Sequence, residues 1–179
     1  MDKEKVLNLG LLFPKPLSQQ LETYSKELAK FLPGPSTLGD NSLAHISIVQ
    51  FLSTKSTELI WQEMQAKKIS PPKIEFSGLY FEKSKTSGKL YFGIRIALTQ
   101  DLIDFQQELI EIAKPDPIIN GVGAEFFPHI TLGCNLEAAE TLPSLPFHSD
   151  LTLLKNVSTI LALGRSGPNL QFKEIVYSC

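Results

Sequence analysis

The chain has 179 residues, 42% of them hydrophobic, with a formal net charge of −2; this acidic balance argues against an extended nucleic-acid footprint and leaves room for a small nucleotide or an RNA end. Its two cysteines, Cys134 and Cys179, stand at no metal-ligand spacing, so no zinc site, other metal or cofactor is expected. No apolar run reaches the length of a membrane span and the start, Met1-Asp2-Lys3-Glu4-Lys5, lacks a secretory core, so a soluble, monomeric, cytoplasmic protein is the expectation.

Val6 to Phe13 is an apolar run bounded by Pro14 and Pro16 and reads as a strand. Ser18 is expected to cap a helix reaching about Leu32, because Leu21, Tyr24, Leu28 and Phe31 recur at three- and four-residue spacing. Pro33-Gly34-Pro35 ends it, and Leu43 to Leu52 is a second strand. Ser56 opens a helix to Lys67, with Leu59, Ile60, Met64 and Trp61 turned inward. Beyond Ser70-Pro71-Pro72, Lys73 to Phe81 and Lys89 to Leu98 form a hairpin around Lys83–Gly88. Asp101 caps a third helix to about Ala113, a loop rich in Pro and Gly runs from Pro115 to Gly123, and Glu125 to Gly133 is another strand. Three further strands, Phe147 to Leu154, Ser158 to Leu163 and Gln171 to Tyr177, complete the order. The pattern predicts an α+β fold: one two-lobed domain over residues 1–179, with antiparallel-rich sheets around a central cleft and helices outside.

Two of the strands carry the same short pattern. His45-Ile46-Ser47-Ile48 reads His-apolar-Ser-apolar, and His129-Ile130-Thr131-Leu132 reads His-apolar-Thr-apolar. On a strand, residues i and i+2 share a face. His45 and Ser47 therefore point one way, as do His129 and Thr131, while the intervening apolar residues enter a core. The separation of 84 positions between the histidines fits one motif strand in each lobe. Two imidazoles and two hydroxyls suit a phosphoester: one base, one acid and two donors for the nonbridging oxygens. The third histidine, His148, has no apolar spacer before Ser149 and is expected outside the site. Cys134 reads as a packed thiol and Lys55 as a surface lysine. Arg165, in the turn sequence Gly164-Arg165-Ser166-Gly167, is placed either to reach a substrate phosphate or to sit in solvent.

At these residues the chain resembles the two-histidine (2H) phosphoesterase superfamily. That group includes bacterial RNA 2′,3′-cyclic phosphodiesterases, also known as 2′-5′ RNA ligases, and plant cyclic nucleotide phosphodiesterases. Pro128 before the second histidine matches the family pattern, as do the first strand, the helix after it, and Leu161-Ala162-Leu163-Gly164-Arg165-Ser166. Gly133-Cys134 stands where the RNA-ligase branch often has a basic residue, and Phe172 where an aromatic hydroxyl is often found. The resemblance implies a metal-independent phosphodiesterase acting on a 2′,3′-cyclic phosphate of a nucleotide or RNA end. His45 and His129 would carry the proton transfers, the first toward the ribose oxygen and the second from water, with Ser47 and Thr131 holding the phosphate. Two other readings use the same residues: a nucleotide or RNA-end binding module without turnover, and an enzyme acting on 2′-5′ linkages.

Overall fold

Leu7–Leu12 forms β1, in which Leu7, Leu9 and Leu11 enter the main core while Asn8, Gly10 and Leu12 alternate onto the other face. The computed structural model describes residues 6–32, 36–39, 42–83, 88–135, 144–167 and 170–179. The remaining elements, in chain order, are α1 (Lys15–Ala29), β2 (Ser36–Thr37), β3 (His45–Phe51), α2 (Thr57–Ala66) and β4 (Phe76–Lys83). After them come β5 (Leu90–Ile96), α3 (Gln100–Ala113), β6 (His129–Asn135), α4 (Ser149–Thr152), β7 (Ile160–Ser166) and β8 (Phe172–Ser178). A short 3₁₀ turn, Gly123–Glu125, leads into β6.

The strands build two four-stranded antiparallel sheets, ordered β3-β1-β7-β8 and β2-β6-β5-β4, with one motif strand in each. This is the expected α+β architecture. Helix α1 lies against β6 and β2, with Leu21, Tyr24 and Leu28 buried. Helices α2 and α3 pack on each other; α3 lies against β3, and Trp61 of α2 stacks on Tyr177 of β8. Helices thus cover one face of each sheet, and a continuous apolar core joins both. Among the described residues no helix is long and apolar enough to cross a membrane.

Several local expectations are corrected. Helix α1 starts at Lys15, with Pro14 at its N-cap and no role for Ser18 as a cap. Proline is tolerated in a first turn, whose N–H groups have no helical partner, so Pro16 does not delay the helix. The helix closes at Ala29, leaving Phe31 exposed and Leu32 buried in its place. Ser56 caps α2 as expected, accepting from the Leu59 N–H, but Leu59 itself faces solvent. Thr99, not Asp101, caps α3, accepting from the Leu102 N–H. The expected strand over Phe147–Leu154 is instead the single turn α4, where Thr152 Oγ1 donates back to the His148 carbonyl. Ser149 and Asp150 favour a helix start over a pleat. The two-residue strand β2 is too short to leave a periodic signal. The expected hairpin forms between β4 and β5, although residues 84–87 of its turn lie outside the described residues.

The loop from Pro115 to Gly123 determines how β3 is held. β3 is a sheet edge, and this loop satisfies part of its open side: Ile119 N–H donates to the Gln50 carbonyl, and Gln50 N–H to Asn120 Oδ1, each at 2.7 Å. Covering an edge in this way fixes register and blocks pairing with another chain.

Candidate active site

The two motif strands are built alike. On β3, Ser47 lies opposite Gly10 and Val49 opposite Leu9, so Ile48 is an extra, bulged residue. On β6, Thr131 lies opposite Gly93 and Gly133 opposite Phe92, so Leu132 is the extra residue. Each bulge follows its motif hydroxyl by one position. A bulge leaves a backbone group without a ladder partner and re-aims the neighbouring side chains. Side chains from outside the sheet take up those carbonyls. Gln106 of α3 and Asn120 donate to Ile48 O at 2.8 and 2.9 Å, and Ser25 of α1 donates to Leu132 O.

The glycines opposite the hydroxyls admit an aromatic ring on each side. A Cβ on Gly93 would stand 1.9 Å from Ile130 O and 2.7 Å from Tyr80 Cε1; one on Gly10 would stand 3.1 Å from Phe172 Cε2. Across the first gap, Tyr80 of β4 reaches over β5 and places its hydroxyl 3.2 Å from Thr131 Oγ1. Across the second, Phe172 of β8 lies 5.3 Å from the His45 ring, centroid to centroid. In Phe172's lobe the partner of the motif hydroxyl comes from β1: Asn8 Nδ2 donates to Ser47 Oγ at 2.8 Å. An amide N–H only donates, so the Ser47 proton remains available to another acceptor.

Both imidazoles are fixed by their own strands. His45 Nδ1 donates to Leu43 O at 2.7 Å, and His129 Nδ1 to Phe127 O at 2.8 Å. A carbonyl only accepts, so each Nδ1 carries the proton and each Nε2 is left for a ligand. The rings of His129, Tyr80 and Phe127 contact one another, with centroids 5.1 to 5.5 Å apart. Residues of β3 and β6 come within 8 Å of each other, Cα to Cα, and the two imidazoles are within electrostatic reach.

Burial dominates the electrostatics. It lowers the His45 pKa to about 4; the Leu43 carbonyl opposes the shift, and the charge of His129 adds to it. Burial also lowers that of His129, against which the Phe127 carbonyl and the Glu82 carboxylate both favour the charged form. Tyr80 is held well above its ordinary phenol range, first by burial, so it stays protonated at the site.

His45, Ser47, His129 and Thr131 therefore occupy equivalent places on two adjoining strands. Arg165 is not brought together with them. It lies opposite Leu7, on the face that β1 turns to the core, and both carboxylate oxygens of Glu174 take its Nη1, at 3.0 and 3.1 Å. His148 pairs with Glu27 and packs on Tyr24, away from the motif residues. Lys55 is engaged by Glu63. Sequence reading missed Asn8, Tyr80, Gly10 and Gly93. The signal was present in part: Asn8 and Gly10 interrupt an otherwise apolar strand at alternate positions.

No family model matches the sequence, and no curated protein matches it. Solved structures do match over nearly the whole length. The unliganded E. coli LigT superposes with a TM-score of 0.63 at 18% identity, covering 98% of this chain and 96% of that one. A protein described as a phosphoesterase gives the same score and identity over 99% and 98%. The protein TT0787 of Thermus thermophilus gives 0.62 at 15% identity over 97% and 96%. E. coli LigT has been crystallised with 3′-AMP, phosphate and ATP. The likeness establishes a shared fold.

Proposed function

We propose that this chain, with the fold of LigT, is a phosphodiesterase of the two-histidine superfamily that hydrolyses a 2′,3′-cyclic phosphate of a nucleotide or RNA end without a metal. The observation that carries the proposal is the matched construction of the two motif strands. In each, an imidazole is held through Nδ1 by the carbonyl two residues earlier, and a hydroxyl just before a bulge is held by a side chain from another strand. The LigT structures with 3′-AMP and phosphate support a ligand of this chemistry. The two free cysteines suit the reducing cytoplasm.

The reaction needs water made basic and a ribose oxygen given a proton as it leaves. Burial keeps the His45 ring neutral, so it serves as base: Nε2 takes a proton from the attacking water. The substrate's negative charge draws one proton into the site, and it settles on His129, where Glu82 favours the cation. His129 Nε2–H then protonates the 2′- or 3′-oxygen as its bond to phosphorus breaks. This order is the reverse of the one the family resemblance implies. Ser47 and Thr131 donate to the nonbridging oxygens, whose charge grows in the transition state. Tyr80 keeps its proton, so it can donate to Thr131 Oγ1 and leave the threonine proton for the phosphate. Incubation of the purified protein with the four nucleoside 2′,3′-cyclic phosphates, with EDTA present, tests the reading. Turnover to a monophosphate is expected; tight binding without turnover would make the chain a binding module.

A further inference from the structure

A phosphodiester brings one negative charge into the site and gains more on the way to the transition state. The motif hydroxyls are neutral, and the acid–base cycle requires one imidazole to be neutral as well. A fixed cation beside the phosphate would offset the added charge, and Arg95 stands where one is needed. On β5, Phe92, Ile94 and Ile96 are buried in the core, which leaves Gly93 and Arg95 on the face that Thr131 and His129 share. Gly93 lies opposite Thr131, and Arg95 lies directly opposite His129. Neighbouring strands run about 5 Å apart, so Arg95 starts next to the second imidazole.

Its guanidinium is also held in place. Cζ lies 5.3 Å over the centroid of Phe127, whose ring is 5.3 Å from that of His129. Stacking on an aromatic face fixes the plane of the guanidinium while its N–H edge stays open for a bidentate anion. The side chain is exposed, and among the described residues no carboxylate forms an ion pair with it. Arg165 and Lys55, by contrast, are each neutralised by a glutamate. At the other described positions that pair with these motif faces, Asn8, Gly10, Leu12, Tyr80, Glu82 and Tyr91, there is no second cation.

We infer that Arg95 is a catalytic residue that binds the substrate phosphate through its guanidinium edge. This rests on the phosphodiesterase reading above and adds the group that recognises the anion. It commits the site to ligands bearing an anionic phosphate.

The test compares wild type with Arg95→Gln and Arg95→Lys, with Arg165→Gln as a control arginine outside the site. Two readouts are taken: hydrolysis of a 2′,3′-cyclic nucleotide, and calorimetric binding of 3′-AMP. Arg95→Gln should lower kcat/KM by about 10²-fold and weaken 3′-AMP binding about tenfold, with a shallower dependence on salt. Arg95→Lys should recover part of both, because it restores charge without the fork. Arg165→Gln should match wild type. Equal turnover and equal 3′-AMP binding in wild type and Arg95→Gln would overturn the inference while the phosphodiesterase reading stands. A wild type that does not hydrolyse the cyclic nucleotide would defeat that reading instead, and the 3′-AMP titration would still decide whether Arg95 holds a phosphate. A wild type that binds no 3′-AMP would overturn the inference directly.

Discussion

Replacing His45 with Gln should make the fold less sensitive to acid. His45 is only 9% exposed, and burial lowers its pKa from 6.5 to about 4. The folded chain therefore keeps the ring neutral down to about pH 4, whereas the unfolded chain takes up a proton near 6.5. Between those values the unfolded state binds more protons, so stability that is fully present above the unfolded pKa is lost as pH falls toward the folded one. At about 1.4 kcal/mol per unit, the full window is worth about 3 kcal/mol, and about 2–3 of that is gone by pH 4.5. Urea unfolding at about pH 7 and about pH 4.5 measures it. Carboxylate titration affects both proteins alike, so the difference isolates His45. Wild type should lose about 2–3 kcal/mol more than His45→Gln over that interval. Equal losses would show that the ring is not held neutral by burial, and the assignment of His45 as base would fail with it.

Replacing His45 or His129 with Ala should lower turnover by about 10²–10⁴-fold with folding retained by circular dichroism, and the double variant should be little worse than either. The kcat/KM profile should be a bell on the acid side of neutrality. Its acid limb should lie near pH 4, where His45 gains a proton, and its alkaline limb below 6.5, where His129 loses one. An optimum above pH 7 would refute these roles. Ser47→Ala should cost about 10–10³-fold in kcat. Asn8→Ala should cost less, and nothing further in the Ser47→Ala background, because Asn8 acts through that hydroxyl. Gly93→Ala should destabilise the chain by about 1–3 kcal/mol in urea, because its Cβ would strike Ile130 O and the Tyr80 ring; an unchanged midpoint would contradict the close approach.

The motif histidines and hydroxyls were legible because strand alternation is a two-residue rule: once Ile46, Ile48, Ile130 and Leu132 are read as core, the faces of His45, Ser47, His129 and Thr131 follow. Asn8 and Tyr80 were not legible, because their roles depend on register between strands distant in sequence: Asn8 is 39 residues from Ser47, and Tyr80 is 51 from Thr131. Arg165 looked suitable from its turn-like surroundings, but the register of β7 against β1 gives it the core-facing side of the sheet at the strand end. Arg95 was passed over because a charged residue between Ile94 and Ile96 reads as a solvent-facing strand position. Its pairing with His129 and its stacking on Phe127, which distinguish it, both need the fold. The turn α4 failed for a different reason: Phe147 and Leu153 look like strand residues, yet both are exposed, while Leu151 and Leu154 pack on the core and Thr152 Oγ1 donates back to the His148 carbonyl.

The most direct test of the central claim is the hydrolysis of nucleoside 2′,3′-cyclic phosphates, followed by chromatography of the monophosphate product, for wild type, His45→Ala and His129→Ala, each with and without EDTA. The account predicts wild-type turnover that EDTA leaves unchanged and that either substitution reduces by about 10²-fold or more. Wild-type turnover that disappears with EDTA, or that survives intact in both histidine variants, would contradict it.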